Sequence, residues 1–348
     1  MAQHPDSVPE KSMFRIATFN LENLDEDPAD EPGRPTFLER AALLRPALER
    51  LRADILCLQE VHGQERSGQP RDLLALRALL ADTRYANHQM VSTKTRDGSQ
   101  VYDVRNLVTL VPPGWDIREV AQINGEIVPN PLYQRTVAGD PQPRPLEWER
   151  PLLWLRVATP TGVEMHILNA HFKSKLATPA ADLMEDRFTW KLAAGWAEGF
   201  FVSSMKRVGA ALEARAVIDL IFDDDPAALI LIAGDLNANS DEVPLMALRG
   251  RVEDTGNGAL ANRVMVPLEM NVPDSKRYTL IHHGKGEMID HILASRRFVQ
   301  AFSHTEIHNE ILPDESVAFA TDVKHPESDH APVVAVFYDD LLEPPQIV

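Results

Sequence analysis

The chain alternates short apolar runs with amphipathic stretches, and the two periodicities separate its elements. Residues 14–20 (Phe-Arg-Ile-Ala-Thr-Phe-Asn) alternate as a half-buried strand does, with successive side chains on opposite faces. Leu38, Ala41, Leu44, Leu48 and Leu51 then recur at helical spacing behind Thr36 and Glu39, a pair that reads as a capping box. A helix is predicted there, kinked or restarted at Pro46. Residues 55–60 form a short apolar strand ending on Glu60, and residues 71–81 read as a second helix. Strands follow near 87–94, 104–111 and 115–120, the last two joined by Pro112-Pro113-Gly114.

Residues 121–151, rich in proline and polar groups, read as a long loop. Residues 152–158 and 163–171 look like an antiparallel pair around Pro160-Thr161-Gly162, and 182–222 like a long helical region. The apolar run 229–233 predicts a buried strand that delivers Gly234-Asp235, and strands near 289–294 and 332–338 close the chain. Strands outnumber helices, with the helices between strand groups. This predicts two packed sheets flanked by helices.

At 348 residues and 44% hydrophobic content, the chain can bury a large core. One domain, 13–339, is predicted because the candidate chemistry spreads from residue 20 to residue 330; 1–12 and 340–348 read as flexible tails. The net charge of −17 argues against tight, indiscriminate binding to polyanions, but a carboxylate cluster for a divalent cation adds negative charge by itself. Cys57 is the only cysteine, which rules out an intrachain disulfide and a cysteine-ligated zinc site; it reads as a small buried hydrophobe. No secretion signal or membrane-spanning run is seen, so a cytoplasmic protein without stable membrane insertion is the expectation.

The candidate chemistry sits where apolar runs end. Glu22 and Glu60 offer carboxylates of the kind hard cations need. Asp235 and Asn237 follow the 229–233 run at a spacing that puts both on one side, where an acid orients water and an amide meets a phosphoryl oxygen. Asp329-His330, with Asp290 as a further acid, would hold an imidazole in one tautomer for general-base or electrostatic work. His171 shares its strand face with Asn169, and Lys173, Lys175, Arg105 and Arg150 bring positive charge that can meet phosphate. His166, His282, His283 and His291 read as structural or exposed.

Taken together, Thr18-Phe19-Asn20-Leu21-Glu22, Leu58-Gln59-Glu60, Asn169-Ala170-His171, Gly234-Asp235-Leu236-Asn237, Ile289-Asp290-His291 and Ser328-Asp329-His330 resemble the endonuclease/exonuclease/phosphatase superfamily in order and in strand context. The resemblance implies an α+β fold, a four-layer α/β/β/α sandwich of two mostly antiparallel sheets. It implies a Mg²⁺ site, with Mn²⁺ as an alternative, at Glu60, Glu22 and Asp329. His171, Asp235, Asn237, Asp290 and His330 would be catalytic; Asn20, Lys173, Asn169 and Arg105 would bind substrate phosphate. Water activated by Asp235 or by His330 would attack in line, and the resemblance does not choose between them.

Departures from subfamily patterns narrow the substrate. The stretch before Asp290 lacks the Pro-Ala-Trp-Cys-Asp-Arg segment of inositol phosphatases, and Phe19-Asn20-Leu21-Glu22 is not the Trp-Asn-x-x-Gly-Leu-Arg opening of abasic-site enzymes. Asn20-Leu21-Glu22-Asn23-Leu24 and His171-Phe172-Lys173-Ser174-Lys175 are most similar to bacterial nuclease-like members. The expected function is therefore a nuclease or phosphodiesterase acting on nucleic acid. The alternatives are a lipid or small-molecule phosphate ester as substrate and, behind it, an inactive scaffold on the same fold.

Overall fold

The computed structural model describes residues 13–26, 35–140, 142–186, 188–316 and 327–338. The tails read at 1–12 and 340–348 lie outside them. Two six-stranded sheets face each other. The first contains β1 (Met13–Leu24), β2 (Ile55–Val61), β3 (Gln89–Ser92), β4 (Asn106–Val111), and two late strands, Phe302–Ile307 and Val333–Tyr338. The second contains β5 (Asp116–Ile123), β6 (Leu152–Ala158), β7 (Glu164–His171), β8 (Ile230–Asp235), β9 (Met265–Pro267) and β10 (Asp290–Ser295). With the late strands as β11 and β12, the orders are β11-β12-β1-β2-β4-β3 and β9-β10-β8-β7-β6-β5. Each sheet has one parallel pair, β1 with β2 and β7 with β8, among antiparallel neighbours.

The parallel strands are covered on both faces, which is why they read as continuous apolar runs. Ile55 and Cys57 of β2 face the space between the sheets, while Leu56 and Leu58 face the helices α1 (Phe37–Leu51) and α2 (Leu74–Leu80). In the second sheet Leu229, Leu231 and Ala233 face inward. Ile230 and Ile232 meet α3 (Ala193–Asp224) and α4 (Val243–Arg249). Three apolar layers thus separate four structural layers, giving the α/β/β/α sandwich. Among the described residues no helix is long and apolar enough to cross a membrane.

Several elements differ from the sequence reading. The capping box at Thr36 and Glu39 is present, but α1 runs through Pro46 as one helix. Pro46 and Ala42, whose carbonyl loses its usual partner, are both exposed, so the interruption falls on the solvent side of the helix. The helix predicted from 182 starts at Ala193, because the Asp186 carboxylate accepts from the Phe188 and Thr189 amides and closes a turn instead.

The loop after β5 is anchored on α3 by two glutamates. Glu213 accepts from the amides of Gly125, Ile127 and Val128, at 2.9, 3.0 and 3.2 Å. Glu198 accepts from the Tyr133 hydroxyl and from the amides of Thr136, Val137 and Ala138. Both glutamates are buried.

Candidate active site

Strand register builds the centre of the site. His171 pairs with Asp235 across β7 and β8, and Asp235 pairs with Asp290 across β8 and β10, so three candidate side chains form one row across the second sheet. Gly234 makes the close approach possible. Its φ is 147°, and a Cβ there would lie 1.8 Å from the Ala170 carbonyl oxygen. His330, in the segment leading into β12, completes the row: its Nδ1 is 2.8 Å from Asp290 Oδ2, and its Nε2 lies 4.0 Å from Asp235 Oδ2.

The first sheet brings its acids in through backbone irregularities. The β1–β2 register shifts between Asn20 and Leu24, and the β2–β4 register shifts between Leu58 and Val61. Glu22 and Glu60 sit in those shifts with φ of 44° and 59°. A bulge re-aims a side chain in this way. Asn23, Arg105 and Asn237 are also left-handed, so five of the seven non-glycine residues of positive φ among the described residues belong to site segments. Such strain concentrates where function dictates geometry. The Asn23 amide donates to Glu60, and the Asp329 amide to Glu22, tying the acids to one another.

Asp235 is the hub. Its Oδ2 accepts from Asn20 Nδ2 at 3.1 Å and lies 3.2 Å from His171 Nε2, while its Oδ1 accepts from the Asn237 amide at 3.0 Å. Burial opposes its ionisation, but His171 and His330 outweigh burial and hold its carboxyl well below the ordinary range. Burial and Arg150 push the His171 imidazole down. His330 goes the other way: burial would lower it, but Asp290, Asp329 and Asp235 together raise it well above the ordinary value. Asp290 is itself raised by burial against the pull of His330, so this pair holds a proton across 2.8 Å.

Glu22, Glu60 and Asp329 lie beside this row. Burial, then Glu22, push the Asp329 carboxyl well above its usual value, and its buried Oδ1 has no hydrogen-bond partner. Burial would also raise Glu60, but His171, Arg150, Arg105 and His330 hold it low. An acid raised by burial and by a neighbouring acid, whose Oδ1 accepts no hydrogen bond and lies 3.8 Å from His330 Nε2, suits a hard divalent cation. Asp235, Asp290 and His330 form a tighter trio, with potential ligand atoms within 4.8 Å. There the ring nitrogen nearest Asp290 is already engaged by it, and Asp235 already accepts from Asn20.

Positive charge gathers around Glu149. Lys173 Nζ lies 3.8 Å from Glu149 Oε2, and Arg105 and Arg150 lie 3.8 and 3.9 Å from Glu149 Oε1. Burial, with Arg150 and Arg105 nearby, lowers the Lys173 ammonium despite Glu149. The Arg150 side chain is only 7% exposed, and its Nη1 donates to the Phe172 carbonyl, which also accepts from Asn237 Nδ2.

Asn169 is placed apart from the others. It is fully buried between the sheets, where Nδ2 donates to the Val108 and Leu58 carbonyls and Oδ1 accepts from Gln59. It shares the inward face of His171, as period two requires, but lies a step deeper, with no surface for a phosphate. Sequence reasoning missed Ser328, whose hydroxyl donates to the Asn20 carbonyl and accepts from the His330 amide. It also missed Thr279, whose Oγ1 accepts from the Asp290 amide. Ser328 adjoins Asp329-His330 in sequence and was visible there; nothing in the sequence marks Thr279.

Residues 17–330 match the family model described as Endonuclease/Exonuclease/phosphatase family. No curated protein matches the sequence. Among solved structures, truncated TDP2 of Caenorhabditis elegans is similar at 17% identity and a TM-score of 0.55, covering 94% of this chain and 98% of that one. An endonuclease/exonuclease/phosphatase family protein of Bacteroides thetaiotaomicron reaches 17% identity and a TM-score of 0.56, covering 94% and 96%. A mannosyl-6-phosphatase of the same organism gives 15% and 0.56, covering 93% and 100%.

Proposed function

Because the chain belongs to the Endonuclease/Exonuclease/phosphatase family, whose members hydrolyse phosphoester bonds, we propose that it is a divalent-metal-dependent phosphodiesterase that cleaves nucleic acid. The observation that carries this reading is the Asp290–His330 pair, 2.8 Å apart, which leaves the other ring nitrogen facing Asp235 Oδ2 at 4.0 Å. Water between those two atoms would give its proton to the Asp235 carboxylate, while the charged His330 ring, held by Asp290, would donate to the oxygen on which negative charge develops. Asn20 and His171 keep the Asp235 carboxylate in place, and Asp290 keeps the His330 ring in place.

Glu60, Glu22 and Asp329 would hold Mg²⁺ or Mn²⁺, which when bound supplies Lewis-acid charge at a phosphate oxygen and the leaving group. Lys173 and Arg105, with Arg150 behind them, would meet substrate phosphate. Asn169, committed between the sheets, is left out of this set. We also read 13–339 as one folding unit, since the site takes side chains from both sheets.

A second reading, hydrolysis of a lipid or small-molecule phosphate ester, is favoured by the net charge of −17, which opposes a polyanion more than a small ester. Hydrolysis of single-stranded DNA, duplex DNA, RNA and bis(p-nitrophenyl) phosphate, with Mg²⁺ or Mn²⁺ and with EDTA, tests both. Metal-dependent cleavage of a polymer is expected. Cleavage of the small diester alone would favour the second reading, and silence on every ester would overturn both.

A further inference from the structure

His291 follows Asp290 on β10 and pairs in register with Gly234. Its ring joins two parts of the chain. Nε2 is 2.8 Å from the Ala238 carbonyl oxygen in the turn after β8, and Nδ1 is 2.6 Å from Glu269 Oε1, on the helical turn Leu268–Asn271. His291, Ala238 and Glu269 are all fully buried. A carbonyl oxygen only accepts, so Nε2 carries a hydrogen. A carboxylate oxygen 2.6 Å from Nδ1 then requires a second proton between them. Burial works against that proton, but Glu269 and the Ala238 carbonyl outweigh it and raise the His291 ring above its usual value.

We propose that His291 is a positioning residue: backed by Glu269, it clamps the Ala238 carbonyl and so fixes the turn that presents Asp235 and Asn237. The inference rests on the reading of Asp235 as a catalytic group. The turn needs fixing, because it leaves the sheet through Gly234 at φ 147° and passes through Asn237 at φ 48°. Its other ties include the Leu236 amide to the Ile289 carbonyl, Asn237 Nδ2 to the Phe172 carbonyl, Asn239 Oδ1 accepting from the Met288 amide, and the Asn239 amide to Glu242. Ala238 is sealed from bulk solvent. Without the imidazole, the turn must move to satisfy the Ala238 carbonyl.

The geometry separates a clamp from a charge. In Glu269→Gln the side-chain amide can donate to Nδ1 while Nε2–H still donates to Ala238, so both hydrogen bonds survive with one proton fewer. In His291→Leu both are lost. The test measures hydrogen exchange of the amides at 236–239 in the full chain, the thermal melt, and kcat and KM for bis(p-nitrophenyl) phosphate with Mg²⁺. His291→Leu is expected to speed exchange at 236–239 and to lower kcat, each by about tenfold or more, with KM within about twofold; Glu269→Gln should stay within about threefold of wild type in all. Should His291→Leu not give a cooperative melt, His291→Gln is read instead, with the same direction expected, because its amide reaches one partner only.

Unchanged exchange at 236–239 in the folded His291 variant would overturn the clamp, whatever the activity. So would a kcat that stays at the wild-type level. A wild-type protein inactive on every ester would defeat the functional reading separately, while the exchange comparison still decides whether the clamp exists.

Discussion

Asn20, on the first sheet, donates a 3.1 Å hydrogen bond to Oδ2 of Asp235, on the second. The oxygen that faces His330 is thus positioned from across the interface between the sheets. A hydrogen bond to a charged group is worth about 1.5–3 kcal/mol. If it acts on the transition state, Asn20→Ala should lower kcat/KM by about 10- to 100-fold, at about 1.4 kcal/mol per decade. Steady-state kinetics on bis(p-nitrophenyl) phosphate would reveal it, and wild-type kinetics in the folded variant would remove Asn20 from the site.

Glu213 holds the loop after β5 through three backbone amides. Glu213→Ala leaves those amides without their acceptor. The expectation is faster hydrogen exchange at 125–128 and a change of more than about threefold in the rate ratio between polymer and small diester, with the small diester still cleaved. An unaltered ratio alongside faster exchange would show that this loop does not shape substrate choice.

Asp329 is raised by burial and by Glu22, and its Oδ1 accepts no hydrogen bond. A divalent cation bound there stabilises the folded state by mass action. Thermal melts with millimolar Mg²⁺ or Mn²⁺ should therefore rise above those in EDTA, and Asp329→Asn or Glu60→Gln should abolish most of the rise. An equal rise in both variants would place the ion elsewhere.

Glu306 bridges the edge strand β11 to β1 through Arg15, at 3.1 and 2.6 Å, and also meets His308. Burial would raise it, but Arg15 and His308 bring it down to about 2. A depressed carboxyl contributes stability that is present above its ordinary value of 4.5 and is lost as pH falls toward 2. The contribution is about 1 kcal/mol once solvent screening of this partly exposed group is counted. Denaturant melts at several pH values should show that Glu306→Gln costs stability at pH 6 and little at pH 2; an equal cost at both would contradict the assignment.

Much of this architecture was legible because its central strands are apolar on both faces. The runs around Ile55 and Ile230 needed no tertiary information, and the acids and amides that follow them mark where each strand leaves the core. The bulges that turn Glu22 and Glu60 toward the site could not be read, since left-handed glutamates leave no mark in composition. Period two correctly put Asn169 on the face of His171, but it says nothing of depth, and depth decides that Asn169 joins the sheets. His291 read as a structural or exposed histidine; its partners, Glu269 and Ala238, are 22 and 53 residues away. Glu213 and the amides it accepts are some 85 residues apart or more. Contacts of that span come from the packing of whole elements, which local patterns do not encode.

The most direct measurement is Mg²⁺-supported hydrolysis of bis(p-nitrophenyl) phosphate by wild type, His330→Ala and Asp290→Asn, each repeated in EDTA and each checked for a cooperative melt. A divalent-metal phosphodiesterase of this geometry is active as wild type and is silenced by EDTA. A loss of about 100- to 10,000-fold is expected in His330→Ala and a smaller loss in Asp290→Asn, where the ring remains but its holder is weakened. Hydrolysis that persists in folded His330→Ala at the wild-type rate, or that ignores EDTA, would contradict this reading.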